Sequence, residues 1–135
     1  MNDERLQPGA AAQLCMTVTA DVTARALGRE DWEDYPAVLA TPIMITQMER
    51  ACAKLLTALL EPGQLSVGVK VAIAHFNPSP VGATVVTHAK FLHREDALYW
   101  FEVWAQDPAG MIGKGRHARA IVDHQQIERN AADRV

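Results

Sequence analysis

Three side chains in this 135-residue chain have the type and placement to do chemistry: Thr41, Glu49 and His75. Glu49 lies in the row Ile45, Glu49, Cys52 and Leu56, which follows the i, i+4, i+7, i+11 spacing of one helical stripe. A carboxylate in an apolar row is costly unless it is paired or functional. Burial would raise its pKa and suit it to acid–base work near neutral pH. The competing reading puts Glu49 at the edge of the stripe, paired with Arg50 or Lys54. His75 closes the apolar run VKVAIAHF just before Asn77-Pro78-Ser79-Pro80. A histidine at a strand end beside a loop is well placed for a pocket, and it is equally suited to capping a backbone carbonyl. Thr41 precedes Pro42 and is the expected N-cap of a helix. A helix start offers unpaired backbone N–H groups and a partial positive charge, where the oxyanion of an acyl group undergoing attack could sit.

Other residues carry weaker signals. Lys114, Arg116 and Arg119 give the segment MIGKGRHARAIV local positive charge. They form either a solvated strand face or a contact with the phosphates of a coenzyme A moiety. Trp32 and Tyr35 stand in an irregular polar stretch, as loop anchors or as a lid over a pocket. His88, His93, His117 and His124 have no metal-ligand spacing with one another or with a cysteine, so no metal is expected. There is no G-x-S-x-G elbow, P-loop or G-x-G-x-x-G.

The elements that must position these side chains follow from periodicity. Gln13 to Thr23 alternates as a strand. Thr41-Pro42 opens a helix, with Met44, Met48, Ala51, Leu55 and Leu59 on one face, that stops at Glu61-Pro62-Gly63. It should span about 18 residues, roughly 27 Å. Strands are expected from Ser66 to Phe76, Ala83 to Leu92, Ala97 to Gln106 and Met111 to Val122, the last three forming an antiparallel meander. A sheet with one apolar face needs a cover, and the single long helix is the one available. The expected fold is therefore α+β: a hotdog, with one long central helix wrapped by a curved antiparallel sheet. Residues 1–12 read as a flexible tail, 13–123 as one domain and 124–135 as a polar tail, frayed or briefly helical.

Composition sets the limits. The chain is 49 % hydrophobic and 21 % charged with a formal net charge of −3, typical of a globular protein and without the basic face of a nucleic-acid binder. The run from Ile43 to Leu60 includes Gln47, Glu49, Arg50 and Lys54, which argues against a membrane span. The N-terminus MNDERLQPGAAAQ lacks the pattern of a signal peptide. Cys15 and Cys52 read as free thiols in a reducing compartment, so the expected location is the cytoplasm.

Within this frame, the stretch from Tyr35 to Val122 resembles the fluoroacetyl-CoA thioesterase type of hotdog protein. The resemblance is carried by PAVLATPIMITQMERAC, LLEPGQLSVGVKVAIAHFNPSPVG and GKGRHARAIV. It implies a thioesterase that hydrolyses a small acyl-CoA, with coenzyme A as part of the substrate and no further cofactor. The family's catalytic threonine, glutamate and histidine match Thr41, Glu49 and His75, and a glycine of its substrate pocket matches Gly68. It further implies a homodimer with the active site shared across the subunit interface. Where the specialised member has phenylalanines over the acyl pocket, this chain has Trp32 and Tyr35, and a tyrosine hydroxyl changes the polarity of such a lid. Two other functions remain open: a hotdog enoyl-CoA hydratase, and a non-catalytic module binding acyl-CoA or acyl-carrier protein.

Overall fold

The computed structural model describes residues 3–135. Strand β1 (Ala11–Thr17) is followed by a 3-10 turn (Ala20–Val22) and the short helix α1 (Ala24–Leu27). An irregular stretch then leads to the long helix α2 (Thr41–Leu56), which ends in a 3-10 turn (Thr57–Leu59). Strands β2 (Gln64–His75), β3 (Thr84–Glu95), β4 (Leu98–Asp107) and β5 (Gly110–Asp123) complete one antiparallel sheet in the order β1-β3-β4-β5-β2. Helix α3 (His124–Arg134) closes the chain.

The period-two pattern of the meander decides which face is covered. Val85, Thr87, Ala89 and Phe91 of β3, with Phe101, Val103 and Ala105 of β4, are buried on the inner face. They meet Met44, Met48, Ala51, Cys52 and Leu56 of α2. The small Ala51 and Cys52 let the helix sit close to the sheet, and α2 touches all five strands. This is the hotdog arrangement. Three register shifts help the sheet curl, at Gly68/Lys70, Phe91/His93 and Ala105/Gln106.

Several expectations are corrected. The first strand ends at Thr17 rather than Thr23, because Ala20–Val22 turns tightly and Thr23 caps α1 with its hydroxyl. The third strand runs on through the expected turn at 93–96 to Glu95, and the reversal uses Asp96 at φ 53. The N-terminal stretch is not wholly loose, since Leu6 is buried against the core and Asp3 bridges to Leu6. The polar C-terminal stretch forms an 11-residue helix, with the Asp123 side chain accepting from the N–H of Gln126.

β2 is an edge strand, and most of it is exposed, including Val69, Val71, Ala72 and Ala74. A twelve-residue edge of this apolar character is a ready template for pairing with another strand.

Candidate active site

The candidate residues form two clusters along α2 and β2. The first is at the start of the helix. Ala40 is the N-cap, Thr41 the first helical residue and Pro42 the next, so Thr41 is not the cap expected from the sequence. The N–H groups of Ile43 and Met44 turn back to the Ala40 carbonyl, and Pro42 has no N–H. The Thr41 hydroxyl is therefore free for another partner, and it lies 2.8 Å from Nδ1 of His75, at the end of β2. Nε2 of His75 is buried and has no hydrogen-bond partner among the described residues. Burial holds the imidazole below its ordinary pKa of 6.5, so the ring is neutral at pH 7. The two residues line a concavity with Pro36, Val38 and Phe76. Trp32 and Tyr35 precede these loop residues and are exposed, at 76 % and 39 %, so neither is anchored in the core of this chain.

The second cluster is two turns further along the helix. Glu49 pairs not with Arg50 or Lys54 but across to β5: its Oε2 is 3.3 Å from Nη1 of Arg119 and 3.7 Å from Nε2 of His117. Arg50 donates instead to Gln47. Arg119 is only 8 % exposed, and its guanidinium also bonds Ser66 through the hydroxyl (3.0 Å) and the carbonyl (2.9 Å). This corrects the expectation of a coenzyme A phosphate contact for Arg119, whose charge is spent inside the fold. Arg116 and Lys114 do lie exposed on the outer side of β5, beside Ala72 and Ala74 of β2.

Gly68 belongs to this second cluster. A Cβ at this position would stand 2.5 Å from Oε2 of Glu49 and 3.1 Å from the His117 ring. Only glycine lets the carboxylate approach the strand backbone so closely. His117 and Ser66 are members of this cluster that sequence reasoning missed. The signal for His117 was present in its spacing, two residues before Arg119 and hence on the same strand face, but it was weighed only as a metal ligand.

Eight residues of helix separate Thr41 from Glu49, a rise of about 12 Å. Seven residues of strand separate Gly68 from His75, a span of about 23 Å if fully extended. One chain thus brings Thr41 to His75 and Glu49 to Gly68, but does not bring these pairs together.

The sequence profile of the family described as fluoroacetyl-CoA-specific thioesterase matches residues 18–125. The chain belongs to that family. A curated relative, fluoroacetyl-CoA thioesterase from Streptantibioticus cattleyicolor, is 34 % identical over 92 residues, which are 68 % of this chain and 66 % of that protein. Among solved structures, one of fluoroacetyl-CoA thioesterase superposes with a TM-score of 0.90 at 27 % identity, covering 96 % of this chain and 98 % of the other. A Thermus thermophilus thioesterase-superfamily protein gives 0.85 at 27 % identity, covering 96 % and 95 %. The relatives agree with the hotdog fold and assign the chain to a class of acyl-CoA thioester hydrolases. The fluoroacetyl-CoA-specific thioesterase family thus supplies the reaction class, and the two clusters supply the groups available to carry it out.

Proposed function

We propose that this protein hydrolyses a short acyl-CoA thioester to the carboxylate and free coenzyme A, in a site completed by two copies of the chain. One copy supplies Thr41 and His75, and the other supplies Glu49 and Gly68. The observation that carries this reading is the separation of the two clusters along a helix and an apolar edge strand that run side by side. Two β2 edges paired antiparallel about a dyad near Val71 would set the His75 end of each copy beside the Gly68 region of the other. The exposure of Val69 and Val71, at 49 % and 50 %, supports such a pairing.

In this site the thioester carbonyl lies at the start of α2, where the Thr41 N–H is available to its oxygen. Neutral His75 accepts from the Thr41 hydroxyl at Nδ1 and carries its proton at Nε2, which it gives to the leaving thiolate and regains from the attacking water, by way of Glu49 where Glu49 acts as the base. Glu49, held by Arg119, either attacks the carbonyl to form a transient anhydride or takes a proton from the attacking water. Single-turnover hydrolysis in heavy-oxygen water separates the routes, because only the anhydride leaves label in Glu49. Trp32 and Tyr35 cover the acyl group, and the exposed Arg116 meets the coenzyme A phosphates. The two free cysteines support a reducing, cytoplasmic setting. No helix among the described residues is long and apolar enough to cross a membrane.

The deciding experiment mixes two inactive variants, Glu49→Gln and His75→Ala, under conditions that exchange subunits. A mixed dimer holds one intact site, so random mixing should restore roughly a quarter of wild-type thiol release. A mixture that stays inactive while the subunits demonstrably exchange refutes the shared site.

A further inference from the structure

His117 has no exposed surface, lies on the inner face of β5 and contacts neither Thr41 nor His75 among the described residues. Its hydrogen bonds fix its chemical form. Nδ1 is 2.8 Å from the Lys70 carbonyl, and a carbonyl can only accept, so Nδ1 carries the hydrogen. Nε2 is 3.1 Å from Nη1 of Arg119, and a guanidinium can only donate, so Nε2 presents its lone pair. Both contacts demand the same neutral tautomer. The Lys70 carbonyl stands just past the register shift at Gly68/Lys70, where Val69 is the extra residue in β2.

The consequence runs through Arg119. Its Nη1 carries two hydrogens, one directed at Nε2 of His117 and the other at Oε2 of Glu49, 3.3 Å away. Nε and Nη2 are held by Ser66. Ser66 thus holds one side of the planar guanidinium and His117 accepts at the other, so the direction of the Nη1 contact with Glu49 is set by both. The charged and titratable groups around the imidazole are Glu49 from α2 and Arg119 from β5, with the Cys52 thiol of α2 nearby in the same field. From β2 the imidazole meets the Lys70 carbonyl.

We propose that His117 is a positioning residue for the hydrolysis: a neutral imidazole whose Nε2 lone pair fixes Arg119 so that its second Nη1 hydrogen aims Glu49, without itself touching substrate. This rests on the reading of Glu49 as the reacting carboxylate. The proposal predicts that the acceptor at Nε2 matters rather than the ring as such. His117→Asn keeps a donor toward Lys70 but removes the acceptor facing Arg119, whereas His117→Gln restores an amide oxygen near the Nε2 position.

The test measures thiol release from acetyl-CoA at about pH 7.5 for the full chain and the variants His117→Asn, His117→Gln and Glu49→Gln. His117→Asn should lower kcat about tenfold with little change in KM, because Glu49 is no longer aimed. His117→Gln should recover most of the lost kcat. Wild-type kcat in His117→Asn, alongside an inactive Glu49→Gln, overturns the positioning role and leaves the reading of Glu49 standing. A fully active Glu49→Gln overturns that reading and the positioning role with it. Nitrogen-15 spectra of the wild-type imidazoles supply a measurement independent of whether the variants fold. An unprotonated Nε2 and a protonated Nδ1 for His117 at pH 7 are expected, and a charged ring or the opposite tautomer overturns the proposal.

Discussion

Replacing Gly68 with alanine tests the placement of Glu49 with the least disturbance to the fold. The new Cβ would lie 2.5 Å from Oε2 of Glu49. Moving from 2.5 Å to an ordinary contact of about 3.4 Å requires a retreat of about 0.9 Å. The His117 ring, 3.1 Å from the same point, cannot make room, because it is fully buried and bonded at both nitrogens. The displacement therefore falls on the carboxylate, and its 3.3 Å contact with Arg119 is lost or redirected. A misplacement of about 1 Å in a reacting group can cost about a hundredfold in rate, equivalent to about 2.7 kcal/mol of transition-state stabilisation. The backbone cost is small. Gly68 has no positive φ, and alanine in a strand recovers roughly 0.5–1 kcal/mol relative to glycine. The expected outcome is a hundredfold drop in kcat/KM for thiol release, with thermal unfolding within a few degrees of wild type. Full activity in a folded Gly68→Ala protein would show that Glu49 does not work from the position seen against β2.

Other outcomes follow from the same geometry. Glu49→Gln and His75→Ala should each lower turnover by about two or more orders of magnitude, read as thiol release at saturating acyl-CoA. Val71→Lys, placed mid-way along the exposed edge of β2, should shift the protein to monomers in sedimentation or light scattering and abolish activity without unfolding the chain. Arg116→Ala should raise KM for acyl-CoA and leave kcat unchanged, the pattern of lost uniform binding. Burial holds His117 below its ordinary pKa of 6.5, so the unfolded chain binds the extra proton first as pH falls. The stability this neutral ring contributes is present above pH 6.5 and is lost as pH drops through its folded pKa. Thermal melts between pH 7.5 and 5 should show a steeper loss for wild type than for His117→Gln.

Much of the architecture was legible because it rests on local periodicity. The alternation in β3 and β4 and the 3.6-residue stripe through Met44, Met48 and Ala51 depend only on near neighbours. The breaker Glu61-Pro62-Gly63 and the turn at Asp107-Pro108-Ala109-Gly110 likewise sit where the chain changes direction. Less legible were the ends. Leu6 looked like part of a loose tail because a single leucine carries no period, yet its burial depends on the cover offered by Leu59 and Phe91. The cap of α2 lies one residue before the expected Thr41, since the methyl side chain of Ala40 has no polar atom to announce it.

Glu49 shows where sequence ends and tertiary structure begins. The sequence by itself determined that a carboxylate falls in an otherwise apolar helical row, that a threonine opens that helix and that a histidine ends the strand after it. Those are statements about spacing, and spacing along one element is set by backbone geometry alone. It could not determine partners, because Arg119 is 70 residues from Glu49 and the register of β5 against β2 is fixed by a bulge no local pattern reveals. Helical neighbours therefore looked like the natural counter-ions, whereas folding turned Glu49 toward β5, to Arg119, His117 and the space left by Gly68. The tertiary structure also placed Thr41 and His75 away from Glu49 within one chain. A helix rises about 1.5 Å per residue and a strand about 3.3 Å, so residues on elements running side by side meet only at matched positions.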